Sequence, residues 1–205
     1  MDVPPAVPQS LLDRIRADPW RAAEHIALAA SERHGPAAAA WAAAQHGSPD
    51  QLAKKAKRMH ARYARFSGAV TGVGGIVTIL PDMVAAVWIQ SRMVFFIAAA
   101  YGYDPTARMR PAELLVLFEL YEDPVQAREA LDGAGRSLVS AAAGKALKGS
   151  EDETLVARLT AMAVKRGASR MAGRAVPGFA IFVNAIGNEG AVRALADDAI
   201  AFYRG

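Results

Sequence analysis

The 205-residue chain has no cysteine. Disulfides, thiolate nucleophiles and cysteine-based metal sites are therefore excluded. It also lacks any run of 18 uncharged apolar residues, because the candidates 67–81, 83–91 and 93–103 are interrupted by Asp82 and Arg92. A charge at the centre of a membrane span costs about 2.5–3.5 kcal/mol on insertion scales, so an ordinary transmembrane helix is not expected. An interfacial or re-entrant segment stays open. Residues 1–20 carry prolines and acids where a secretory signal would carry positive charge and then an apolar run, and a cytoplasmic location is the expectation.

Catalytic signatures are missing as well. The run Gly72-Val73-Gly74-Gly75 has Val77 where a dinucleotide loop needs its third spaced glycine. Gly144-Lys145 resembles the end of a phosphate loop, but Val139 replaces the first glycine and Ala146 the magnesium-holding hydroxyl. There is no G-x-S-x-G elbow and no H-E-x-x-H pair. His25, His34, His46 and His60 share no ligand spacing along a helix, so no metal and no cofactor is implied.

What is abundant is alanine, 46 residues of 205, within a hydrophobic content of 53%. Alanine has the lowest cost of any residue in a helix, and no stretch alternates convincingly as a strand. Asp18-Pro19, Ser48-Pro49, Asp104-Pro105 and Asp123-Pro124 each set a capping side chain before a proline suited to a first helical turn. Gly35 and Gly102 suit the left-handed residue that ends a helix. The reading is all-α, one compact multi-helix domain of about eight to nine helices with glycine-rich central helices. The helices are placed at 8–16, 19–34, 36–46, 49–70, 81–101, 105–120 (bent near Pro111), 124–147, 151–172 and 177–203. Residues 1–48 read as an N-terminal helical extension to a domain at 49–205.

Net charge is only +4, yet its distribution is uneven. Lys54, Lys55, Lys57, Arg58, Arg62 and Arg65 face one acid in 50–66, and 158–174 holds Arg158, Lys165, Arg166, Arg170 and Arg174 with none. Along the helix from 49, Leu52, Ala56, Met59, Tyr63, Phe66 and Val70 form an apolar stripe, while Lys54, Arg58, Arg62 and Arg65 form a cationic ridge on another face. Such a ridge is either a solvated surface or a face for anionic lipid or an acidic partner. Each basic helix leads into an uncharged, glycine-rich stretch, 67–81 and 175–188. Gly68, Gly72, Gly75 and Gly178 would permit close packing of those stretches.

The 81–101 helix is apolar nearly all round, with Gln90, Ser91 and Arg92 as its polar interruptions. Asp82 reads either as a first-turn acid favoured by the helix dipole or as an anion lining a pocket with Arg92. Gln90 and Arg92 need buried partners and form a candidate polar cluster with Asp82, Tyr101 and Tyr103.

At these residues the chain resembles the EcsC family. The resemblance rests on His60, Arg62, Ala64, Arg65, then Gly68-Ala69, Thr71-Gly72, Gly75, Pro81-Asp82, Gln90, Arg92 and Tyr101-Gly102-Tyr103-Asp104. It is clear over 52–105, with Pro177-Gly178, Asn184 and 196–203 resembling the family's tail. The family is named after a component encoded with a bacterial ABC transporter. It is also similar to a membrane-associated helical region beside some bacterial GTPase-like proteins. The resemblance implies a bacterial, all-helical, membrane-proximal accessory protein and carries over no catalytic residue.

The functional expectation is a non-enzymatic module peripheral to the inner face of a membrane. Its basic residues Lys54, Arg58, Arg62, Arg65, Arg166, Arg170 and Arg174 would face anionic lipid, and its glycine-rich segments would form a shallow insertion or an acyl-chain groove. The alternative is a soluble interaction module that docks on a membrane protein such as a transporter or on a second copy of itself. An enzyme with a pocket around Asp82 and Arg92 ranks lower. Nucleic acid is not an expected partner, since the basic helices lack interleaved exposed aromatics and any reading motif.

Overall fold

The computed structural model describes residues 6–18, 21–68, 79–133 and 189–205, without the side chains of 64–68, 79–83, 189 and 191. Among the described residues there are seven helices and no strand. They are α1 (Gln9–Ala17), α2 (Ala22–Ala43), α3 (Pro49–Gly68), α4 (Ile79–Ala100), α5 (Arg110–Leu117), α6 (Pro124–Leu131) and α7 (Glu189–Arg204). The all-α reading holds.

The centre of the fold is α4. Every residue from 87 to 100 is buried, as an almost uniformly apolar helix requires in water. Packed against it are α2, α3 and α7, while α5 packs on α2 and α6, and α1 on α2. Residues before 49 thus share this core: Leu11, Ile15, Ile26, Ala30 and Ala38 belong to the same buried cluster as Trp88, Phe95 and Ile97. The faces that α2 and α3 turn to α4 are rich in alanine, with Ala27, Ala30, Ala38, Ala53 and Ala56 all buried, and short side chains let helix axes approach closely.

Several helix ends follow local chemistry. The Ser48 hydroxyl accepts from Gln51 N at 3.3 Å while Gln51 Oε1 accepts from Ser48 N at 3.0 Å, a reciprocal cap on α3. The Asp123 carboxylate accepts from Val125 N and Gln126 N at 2.8 and 2.9 Å, capping α6. Gly102, with φ of 82°, ends α4 in a left-handed turn. There Tyr103 N donates to Ala98 O and Gly102 N to Ala99 O, both at 3.1 Å.

Three expected boundaries are corrected. First, α2 does not stop at Gly35 but runs on through Pro36. Proline in a helix interior removes one hydrogen bond and strains the preceding turn, at about 3 kcal/mol. His34 and Ala38 on either side are buried, which holds both halves in the core, and Pro36 itself is exposed. Gly35 serves instead as a contact point, since a Cβ there would lie 2.8 Å from Pro105 O. Second, no helix starts at Pro105: the Asp104 carboxylate accepts from Thr106 N and Oγ1 at 2.8 and 2.7 Å in a local turn. Helix α5 begins at Arg110, so Pro111 sits in a first turn and bends nothing. Third, α6 ends at Leu131 rather than running to 147, with Gly133 at φ of 76° just beyond it. The helix expected at 151–172 lies outside the described residues.

Candidate functional site

On α3 the sequence pattern becomes a surface. Ala53, Ala56, His60 and Tyr63 are buried, whereas Lys54, Arg58 and Arg62 are exposed. These three cations stand four residues apart, so their side chains rise in one row on the helix surface. Like charges at that spacing destabilise an isolated helix by about 0.2–0.5 kcal/mol per pair. None of the three forms an ion pair with a described residue.

The contrast with neighbouring cations is sharp. Lys57 Nζ meets Asp197 Oδ1 of α7 at 2.5 Å, and Lys55 donates to Gln45 Oε1 at 2.6 Å. Among the described residues, no acid of 113–132 pairs with a cation of α3. Glu113 pairs with Arg110, and Asp132 with Arg108 and Arg128 at 2.6 and 2.5 Å. Arg166, Arg170, Arg174, Gly72, Gly75 and Gly178 lie outside the described residues. Arg65 and Gly68 close α3 and Asp82 opens α4, their side-chain surroundings likewise outside the description.

The candidate polar cluster of α4 does not come together as one pocket. Asp82 lies in the first turn of α4 and Tyr101 just past its last, about 28 Å apart along an ideal helix. Gln90 and Arg92 are buried in its middle. The two tyrosines do different work at its C-terminal end. Tyr101 donates to Asp50 Oδ1 of α3 at 2.6 Å, and Arg204 of α7 reaches the same oxygen at 2.8 Å. These bonds hold the exposed Asp50 carboxyl below the usual carboxylate range, and burial together with Asp50 raises the Tyr101 phenol.

Tyr103 faces α7. Its ring lies 5.3 Å from that of Tyr203, and the Arg110 guanidinium stands over both, 5.2 and 5.4 Å from their centroids. Tyr203 donates to Glu113 Oε2 at 2.9 Å, and Arg110 donates to the same oxygen. Burial raises the Glu113 pKa against the pull of Tyr203 and Arg110, and burial with the adjacent carboxylate raises that of Tyr203. The Tyr-Gly-Tyr-Asp segment is thus a clamp: one tyrosine ties α4 to α3, the other ties it to α7.

A second polar assembly was not anticipated from the sequence. Trp88, Arg92 and Phe96 stand four residues apart in one row of α4. His34 of α2 lies on Trp88 with ring centroids 4.3 Å apart, and His60 of α3 stands edge-on to Phe96 at 5.1 Å. The Arg92 guanidinium carbon is 4.5 Å over the Phe96 ring. His34 and His60 have no exposed surface. His60 Nδ1 lies 2.9 Å from Ala56 O, which makes Nδ1 the protonated nitrogen and leaves Nε2 buried without a partner. Neither ring nitrogen of His34 makes a well-formed hydrogen bond to a described residue. Burial, reinforced by the Arg92 charge, lowers both histidines to about 3. The available signal was periodicity, since His60 continues the Ala53, Ala56, Tyr63 face and His34 the Ala27, Ala30, Ala38 face.

A stretch of 56 residues is 38% identical to the uncharacterized protein YdbA from Bacillus subtilis (strain 168), covering 27% of this chain and 21% of that one. The match therefore spans about a fifth of that relative's length. No solved structure matches. The model of the EcsC protein family matches residues 45–205, from the loop before α3 through α7 to the last residue, and on that extent the chain belongs to the EcsC protein family.

Proposed function

We propose that the chain is a non-enzymatic module that lies against an anionic membrane surface through the outer face of α3. One observation carries this reading: Lys54, Arg58 and Arg62 stay exposed in a single row, outside any ion pair with a described residue, while Lys57, Arg108, Arg110, Arg128 and Arg204 are each engaged. Each Lys or Arg near an anionic leaflet contributes about 1 kcal/mol before screening. The row thus amounts to about 3 kcal/mol, roughly a hundredfold in partition. Among the described residues no helix is long and apolar enough to cross a membrane, so contact would be peripheral. The uncharged stretches 67–81 and 175–188 would then add a shallow insertion or hold an acyl chain. The spread of Asp82, Gln90, Arg92 and Tyr101 along α4 weakens the competing enzyme reading, which needs them in one pocket.

Co-flotation with vesicles tests the proposal. The protein should float with anionic but not neutral vesicles at low salt and lose most binding at high salt. The variant Lys54→Gln/Arg58→Gln/Arg62→Gln should bind roughly a hundredfold more weakly. Absence of flotation on anionic vesicles at low salt would sink the membrane reading. A second reading, docking on a membrane protein or on another copy, is favoured by the exposed Tyr103 and Phe202 rings, 43% and 39% accessible, on either side of Tyr203. Binding to a lipid-free protein that survives the triple substitution and is lost on Tyr103→Ser/Phe202→Ser would support it.

A further inference from the structure

Helices α2 and α3 meet the same turns of α4 through rings, His34 on Trp88 and His60 on Phe96, with Arg92 between those two aromatics in the row. We propose that this junction is an acid-released latch, in which neutral His34 and His60 hold the three helices together and their protonation parts α3 from α4. The latch does not depend on what α3 binds outside.

The geometry leaves no room for an imidazolium. The charged groups acting on His34 are Arg92 from α4, His60 from α3 and Arg33 on its own helix, and Arg92 acts on His60. All are cationic or become so on protonation. Their ring neighbours among the described residues are Trp88, Phe96 and Tyr63, the Trp88 backbone adds a weak pull on His34, and no described carboxylate is among the groups acting on either histidine. His60 Nδ1 already donates to Ala56 O, so a second proton must go to Nε2, which has no acceptor among the described residues. In water the same rings titrate near 6.5, so falling pH favours whichever state releases them.

The weaker partner is α3. Its described buried side chains are mostly alanine, namely Ala53, Ala56 and Ala61 beside Tyr63 and His60. Its ties to α7, Lys57–Asp197 and Arg204–Asp50, are surface ion pairs, a class that contributes little. By contrast α2 buries Ile26 and a Glu24–Tyr121 hydrogen bond of 2.7 Å, so it stays, and His34 meets water on the side that His60 and α3 vacate. Between pH 7 and 5 the opening equilibrium should rise about 25-fold for each histidine that titrates normally once released, and several hundred-fold for both.

Native-state hydrogen exchange at pH 7 and 5, corrected for intrinsic rates, tests this. Protection in α3 and in the facing turns around Trp88 and Phe96 should fall several hundred-fold at pH 5, with α5 and α6 much less affected. His60→Gln should remove about 25-fold of that change, and His34→Gln/His60→Gln should leave it nearly flat, His25 and His46 being retained throughout. Equal loss in every helix, no loss in the parent chain, or an unchanged loss in the double variant would overturn the latch. Should the double variant not fold at pH 7, the singles decide, and an unchanged pH response in both overturns it.

Discussion

The middle of α4 and its C-terminal end both gather polar side chains from several helices, but they resolve them in opposite ways. At the end, Glu113 is met by Arg110 and Tyr203, and Asp50 by Tyr101 and Arg204. In the middle, His34 and His60 are enclosed by rings and a cation and remain neutral. A buried charge that has partners holds elements in register, and removing one partner strands the other. A buried group that is neutral only because it is buried makes the packing depend on pH. The two regions also respond to acid with opposite sign. The Glu113 pKa is raised in the fold, so that site gains stability as pH falls through its titration. The histidines are lowered from 6.5 to about 3, so their stability is intact above 6.5 and is lost progressively from there down to about 3.

The largest expected effect tests that sign difference. Stability measured by urea denaturation should drop between pH 7 and 5 by up to about 4 kcal/mol, about 2 from each histidine less what Glu113 returns, and His34→Gln/His60→Gln should remove most of that drop. Next, Arg110→Ala should cost about 3 kcal/mol at pH 7 by stranding the Glu113 carboxylate. That loss should shrink at pH 5 as Glu113 takes up a proton, whereas a loss independent of pH would show that packing alone is at stake. Tyr203→Phe removes only the hydroxyl on Glu113 and should cost about 2 kcal/mol, the range for a hydrogen bond to a charged group. Smallest is Tyr101→Phe, at the exposed edge of the clamp, where the melting temperature should move barely beyond detection. A large effect there would mean that Asp50 is less accessible than its exposed position on α3 indicates.

Helix ends show what was readable. Ser48, Asp123 and Gly102 act as their residue types dictate, because a cap bonds within its own turn. Gly35-Pro36 misleads for the opposite reason: its role is set by the Pro105 carbonyl, 70 positions away. Glu119 shows the same limit. It holds a left-handed φ of 56° at the end of α5, a position that favours glycine, and no local pattern announced it.

The ridge was legible because exposure of Lys54, Arg58 and Arg62 follows from helical period once the opposite face is apolar. The candidate pocket was not, because Asp82 and Tyr101 are near in sequence but at opposite ends of one rigid rod. The residues that do meet, His34 with Trp88, Asp50 with Tyr101 and Arg204, and Glu113 with Tyr203, come from different helices.

By itself, then, the sequence determined the helical class, the central place of the apolar α4, the caps at Ser48, Asp123 and Gly102 and the cationic face, all consequences of propensity, period and burial acting over a turn or two. Only the tertiary structure decided that α2 runs unbroken through a proline, that the two tyrosines clamp separate helices, and that two histidines share a dry interface. Those outcomes depend on which helix surfaces fit together, and packing is a property of pairs of surfaces that no single stretch of chain contains.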